Sequence, residues 1–235
     1  MSYVLGFIVA DGCIGVKRLR KDGTKQFCLS ITSKDISLLK NIRKVMSAGQ
    51  SIILKQSGTK KGACYHLQIG YQEICNDLIN LGIYPRKTYN LNPIKVPYKY
   101  FPDFVRGFFD GDGTVYIYKV NGVPQIKVGF ISTSLSFLTE LNKQLCRSLD
   151  IPIKSIHKTT DGRVEKGMTQ FTTHFYIDDC KRLYKFMYKN ASIFLDRKYK
   201  IFKKWENMKS KNRRHYIKKN YPSKIGWQLN QKVLA

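Results

Sequence analysis

Acidic residues are scarce in this chain. Asp and Glu number 16 against 42 Lys and Arg, so the formal net charge is +26. A protein of this size stays dispersed with far less charge. So large an excess of one sign repels itself unless a polyanion neutralises it. Nucleic acid is the first candidate partner, and a generally solvated basic surface is the bland alternative. A membrane partner would need an amphipathic basic helix or an apolar span, and no run of 18 apolar residues occurs, so none is expected. The six cysteines, at positions 13, 28, 64, 75, 146 and 180, form no CxxC pair, which argues against zinc. Their scatter also argues against a disulfide framework, and free thiols suit a reducing interior. The opening Met1-Ser2-Tyr3-Val4 lacks the basic, apolar and small-residue layout of a signal peptide. An intracellular protein is therefore expected. A bias toward Lys, Asn, Ile and Tyr fits an AT-rich genome such as that of an organelle, a phage or a low-GC bacterium. At 235 residues and 43% hydrophobic content, there is material for one large core or two small ones.

The chain repeats itself. Residues 4–12 read VLGFIVADG and residues 105–113 read VRGFFDGDG. A strand-like stretch follows each, CIGVKRLR at 13–20 and TVYIYKV at 114–120. Turn signals come next, Lys21-Asp22-Gly23 and Asn121-Gly122, and then second strands, KQFCLSIT at 25–32 and QIKVGFI at 125–131. ITSKDISLLKNI at 31–42 aligns without a gap with FISTSLSFLTEL at 130–141, each with a Ser or Thr near a helix start and apolar residues at helical spacing. Two more strands follow in each half, SIILKQS with ACYHLQIG and IPIKSIHK with QFTTHFYI. Helices at roughly 71–81 and 178–189 close the halves. Each half therefore reads α-β-β-α-β-β-α, an α+β fold built from two pseudo-symmetric repeats, each with a four-stranded antiparallel sheet. The expected divisions are a first repeat at 1–84, a Pro-rich linker at 85–102, a second repeat at 103–205 and a basic extension at 206–235. A fused pair presents one patch twice, as a homodimer does, so a monomer is expected.

The repeated nonapeptides have a physical logic. Gly6 and Ala10 are four apart, as are Gly107 and Gly111, so each pair shares a helix face. Small residues there let two helix backbones approach closely, and the two helices are expected to cross and join the halves. Asp11 and Asp112 then lie at adjacent helix C-termini, where the helix end is already partly negative and each carboxylate raises the other's pKa. A helix-terminal turn role before Gly12 and Gly113 is the alternative, since glycine commonly follows a helix. Divalent cations resolve the repulsion. Oxygen ligands with open water positions suit Mg²⁺, and paired ions can clamp the attacking and leaving oxygens of a phosphodiester.

With these residues in place, the two nonapeptides resemble the LAGLIDADG signature, and FVRGFFDGDG at 104–113 is close to the form found in the DNA nucleases of that family. The chain resembles a single-chain, two-motif LAGLIDADG homing endonuclease over roughly residues 3–205. The resemblance implies an intron-encoded enzyme that hydrolyses double-stranded DNA at a long asymmetric target. It implies two or three divalent ions, Mg²⁺ first, with Ca²⁺ or Mn²⁺ able to substitute. Asp11 and Asp112 match the metal-binding acids, with Ala10 and Gly111 beside them in the ligand set. Val9 departs from the motif where Asp110 keeps it, which makes the two halves chemically unequal. LGIYPRKTYNL at 81–91 and FLDRKYKIF at 194–202 resemble the segments that bring a basic residue from each half to the cut, nominating Lys87 and Lys198. Arg86 and Arg197 are their neighbours and remain alternatives. Ser33 and Ser132 are candidates to orient the attacking water, with Lys34 and Thr133 equally placed.

Strand alternation nominates the residues that read DNA. If Phe27, Leu29 and Ile31 point inward, then Gln26, Cys28 and Ser30 point outward. Likewise Ile126, Val128 and Phe130 leave Gln125, Lys127 and Gly129 outward. His66, Gln68, His174 and Tyr176 belong to the same set. So do Cys13, Gly15 and Lys17 on one first strand, Thr114, Tyr116 and Tyr118 on the other, and Lys55 and Lys154 on the third strands. The stretch 209–227, very basic and with aromatics, is a candidate phosphate-binding arm. Two rivals share the scaffold: an intron maturase binding intron RNA, and a DNA-binding regulator without catalysis. Both acids being present favours cutting. An intein is not expected, because the terminal nucleophile and His-Asn pair are missing.

Overall fold

The computed structural model describes residues 1–19, 21–56, 63–87, 91–159 and 169–220, with side chains described through residue 208. The first repeat runs α1 (Ser2–Asp11), β1 (Gly12–Leu19), β2 (Lys25–Ser33), α2 (Ile36–Val45), β3 (Ile52–Gln56), β4 (Ala63–Ile69) and α3 (Gln72–Asn80). The second runs α4 (Phe101–Asp112), β5 (Thr114–Val120), β6 (Val123–Ser132), α5 (Leu135–Leu149), β7 (Ile156–Thr159), β8 (Gln170–Tyr176) and α6 (Ile177–Tyr188), followed by α7 (Asp196–Asn220). The strands form two antiparallel four-stranded sheets of identical topology, β1-β2-β4-β3 and β5-β6-β8-β7. Among the described residues, no helix is long and apolar enough to cross a membrane.

α1 is apolar nearly all round and buries Tyr3, Val4, Phe7, Ile8 and Val9. A helix of that kind needs cover on several sides. α4 supplies one side and the first sheet another. The two helices touch backbone to backbone. A β-carbon on Gly6 would fall on the carbonyl of Phe104 and lie 2.9 Å from Phe108 N, and one on Gly107 would fall on the carbonyl of Tyr3 and lie 2.9 Å from Phe7 N. The core is aliphatic under the first sheet, with Leu29, Ile31, Leu38, Leu39, Ile42 and Leu67. Under the second sheet it is aromatic. There Phe108 packs edge-on to Phe137 at 5.0 Å, and Phe130 contacts Phe109 and Phe175 at 5.7 Å each.

Three local readings change. Gly12 and Gly113 end their helices in extended backbone, φ −76° and −79°, not in the left-handed conformation of a glycine cap. Their lack of a side chain serves proximity, since a β-carbon on Gly12 would lie 2.7 Å from Ile8 O. The strand expected over 151–158 begins only at Ile156. Pro152 has no N–H to offer a sheet. The preceding carbonyls of Leu149 and Asp150 accept from Arg182 Nη1 at 2.9 Å each, while Lys154 O accepts from Asn142 Nδ2 at 2.7 Å. Finally, the boundary expected at residue 205 falls inside α7. That helix buries Lys198, Phe202 and Trp205 on one face and carries its backbone on to Asn220.

Candidate active site at the helix crossing

The close approach at Gly6 and Gly107 brings the C-termini of α1 and α4 together between the two sheets. A β-carbon on Gly111 would fall on the Ala10 methyl and lie 3.3 Å from Asp11 Oδ2. Asp11 is exposed and Asp112 half-buried. Burial first, and then the charge of Asp11, push the Asp112 carboxyl up to about 6, with Lys87 and Lys198 opposing the rise. Partial loss of water around its carboxyl at the crowded helix ends also raises Asp11, against Lys198, Lys87 and Arg197. A cleft of about 230 Å³ opens beside Asp112, lined by Ala10, Lys87, Ser132, Thr133 and Gln170 among others.

Both nominated lysines reach these helix ends, and they do so unequally. Lys87 Nζ donates to Ala10 O at 2.7 Å. Lys198 Nζ donates to the carbonyls of Phe109 at 2.5 Å, Asp110 at 2.9 Å, Gly111 at 3.4 Å and Gly113 at 2.6 Å. An ammonium with its three donors suits the partly negative end of a helix. Burial lowers both lysines, Lys198 to about 8, while the nearby aspartates oppose the shift. The carbonyls of Ala10 and Gly111, nominated beside the metal, are therefore acceptors of lysine hydrogen bonds here. Arg197 Nε lies 3.4 Å from Asp35 Oδ2, tying α7 to the first repeat. Arg86 is exposed in a turn with φ +60°.

The donor set fits a hard divalent cation. Two carboxylates and neighbouring carbonyls are all oxygen ligands, and the mutual repulsion that raises Asp112 is relieved by positive charge. Among the described residues no cluster of three or more His, Cys, Asp or Glu forms, so an ion here would complete its shell with water and substrate oxygens. That is how Mg²⁺ is usually held. Ser132 and Thr133 line the cleft, and Ser132 Oγ accepts from Ser134 N at 3.1 Å. Ser33 Oγ makes the same local bond with Asp35 N at 3.1 Å. Gln170, at the first position of β8, escaped sequence reading because a lone glutamine at a strand edge carries no spacing signal.

The nominated reading residues divide. On the first sheet Cys13, Ser30 and Gln68 form one cross-strand row. Gln68 is exposed and Ser30 half-buried. Lys17 sits at the register shift between Val16 and Arg18, exposed like Lys55, while Gln26 is half-buried. On the second sheet Tyr116, Lys127 and Tyr176 form a row, with Lys127 Nζ 5.4 Å from the Tyr176 ring centre. Tyr118 pairs with Gln125, and His174 with Gly129. His174 stacks on His157 at 6.3 Å. Three expectations of outward display need correction. His66 is 7% exposed and its Nδ1 lies 3.1 Å from Thr32 Oγ1, because its cross-strand neighbour satisfies it. Cys28 is buried under Gln68, whose Nε2 donates to its sulfur at 3.2 Å. Lys154 lies off the strand and pairs with Asp179 at 2.8 Å. The arm nominated at 209–227 falls partly on α7, whose side chains are described only through residue 208, and partly outside the described residues.

No protein-family model and no curated protein matches the chain. Solved structures do. The LAGLIDADG homing endonuclease I-GzeII, in complex with its DNA target, superposes with a TM-score of 0.58 at 13% identity, over 99% of this chain and 96% of that one. The LAGLIDADG homing endonuclease I-SmaMI, bound to cleaved DNA, gives 0.57 at 15% identity over 90% of each chain. I-DmoI, in complex with DNA and Ca, gives 0.50 at 14% identity, over 77% of this chain and 84% of that one. The fold is that of the two-repeat LAGLIDADG proteins.

Proposed function

We propose that the protein is a single-chain LAGLIDADG homing endonuclease that hydrolyses one phosphodiester in each strand of a long, asymmetric double-stranded DNA target, with Mg²⁺ as the working ion. The observation that carries this is the pair Asp11 and Asp112, held side by side at the ends of crossing helices between two four-stranded sheets. The net charge of +26 supplies the affinity for a polyanion. Divalent ions bound there would supply charge to stabilise the phosphorane-like transition state and to acidify water. The chain's own groups do the rest. Asp11 and Asp112 would hold the ions. Lys87 and Lys198 fix the helix ends that carry those acids. Ser132, Thr133 and Gln170 offer hydrogen bonds to water in the cleft beside Asp112. The differing sheet faces, with a tyrosine–lysine–tyrosine row only on the second, support an asymmetric target.

The test is a plasmid library of randomised duplex sites incubated with Mg²⁺ and the protein, with Asp11→Ala and Asp112→Ala alongside. The expected result is linearisation at one recurring sequence, lost in both variants while binding of that sequence persists. Equal cutting by wild type and both variants, or tight binding without any cutting, would overturn the reading.

A further inference from the structure

The two halves of the site are built differently around one buried side chain. Asp110 is 1% exposed and has Val9 as its counterpart in the first repeat. Its Oδ2 accepts from two groups far away in sequence, Tyr3 OH at 2.8 Å and Leu195 N at 2.8 Å. Leu195 is the residue before α7, and its carbonyl receives the first bonds of that helix, from Lys198 N at 3.0 Å and Tyr199 N at 3.1 Å. A carboxylate on the amide at a helix start is a favourable cap, since that end offers free N–H groups and partial positive charge. One turn further on, Lys198 sends its ammonium back to the carbonyls of Phe109, Asp110, Gly111 and Gly113. Asp110 and Lys198 thus form a reciprocal lock, in which α4 caps α7 and α7 caps α4. In the first repeat Val9 offers no side-chain acceptor, and Lys87 stands in a turn where, among the described residues, it donates to the carbonyl of Ala10.

We propose that Asp110 is a positioning residue for one of the two hydrolytic half-reactions. It fixes the start of α7 and, through Lys198, the end of α4 that carries Asp112. The proposal rests on the endonuclease reading above. Removing the lock should slow one strand selectively, because Lys87 still meets the end of α1 beside Asp11, at Ala10 O.

The experiment uses the full chain and a duplex target labelled differently on each strand, in Mg²⁺. Asp110→Val copies the first repeat, and Asp110→Asn keeps an oxygen for Leu195 N. Lys198→Met removes the other arm of the lock, and Tyr3→Phe removes only the bond to α1. Asp110→Val and Lys198→Met are each expected to slow the same strand by about tenfold or more, the other strand changing by less than about twofold. Asp110→Asn should recover most of that loss, and Tyr3→Phe should leave the strand ratio near wild type. Should Asp110→Val not fold, Leu195→Pro removes the N–H donor while leaving the carboxylate in place, with the same strand bias expected. Equal slowing of both strands, or an unchanged ratio in a protein that cuts, overturns the positioning role alone. A wild-type protein that cuts neither strand overturns the endonuclease reading and this proposal with it.

Discussion

Replacing Gly107 with alanine tests the helix crossing on which the site depends. The added methyl would fall on the carbonyl of Tyr3 and sit 2.9 Å from Phe7 N. Both are backbone atoms of a buried helix, so no flexible side chain can swing aside, and the two helices must part. Overpacking of a well-filled interior costs about 1–3 kcal/mol, and a backbone clash at the tightest point belongs in the upper half of that range. For a chain of this length each kcal/mol moves Tm by roughly 2–4 °C, so a fall of roughly 5–10 °C is expected. The same parting moves Asp11 away from Asp112. A misplacement of about 1 Å can cost on the order of a hundredfold in rate, so cutting should suffer more than stability implies. Gly15 is the internal control, because a β-carbon there meets nothing within 4 Å. Gly15→Ala should stay within about 0.5 kcal/mol of wild type. Calorimetry with a single-turnover cleavage assay reads both quantities. A Gly107→Ala protein that melts within a degree or so of wild type and cuts at the same rate would refute the close-crossing argument.

Two further outcomes follow from charge. Asp112 has its folded-state pKa raised to about 6, chiefly by burial. The folded protein therefore binds that proton more tightly than the unfolded chain. The associated stability is present below the unfolded value of about 3.9 and is lost as pH rises through about 6. In metal-free buffer Asp112→Asn should be more stable than wild type at pH 7, the gap closing as pH falls toward 4. Mg²⁺ should stabilise wild type alone, and a gap in melting temperature that does not change with pH would contradict this. Ending the chain before Lys209 removes eight Lys and Arg and no acid. If the arm meets even three phosphates, the plot of log Kd against log salt should flatten by about 3. An unchanged slope removes the arm from the DNA contact surface.

Much of the architecture was legible because it is local and repeated. The strand and helix periods of each half are short-range patterns, and the duplication reads each of them twice. α7 escaped for a specific reason. Its buried stripe runs Lys198, Phe202 and Trp205, just after Leu195, and a lysine in that stripe breaks the apolar period that marks a helix face. Lys198 is buried only because three carbonyls at the end of α4 and that of Gly113 receive it, and that contact spans more than eighty residues of sequence. His66, Cys28 and Lys154 show the same limit on the sheets. Alternation tells which face a side chain takes, but not whether a neighbour covers or pairs it there.

The sequence by itself determined the pair of repeats, the two carboxylates and the glycines that let their helices meet. The carboxylates and glycines rest on residue type and spacing within a dozen positions, and the repeats on the recurrence of such short patterns about 100 residues later. The tertiary structure alone decided that the two lysines cap the crossing helices unequally, and that Asp110 anchors α7 where its counterpart Val9 has no polar side chain to do so. Those features are hydrogen bonds between segments far apart in the chain. They exist only once burial has removed water as the competing partner and the fold has brought donor and acceptor within 3 Å.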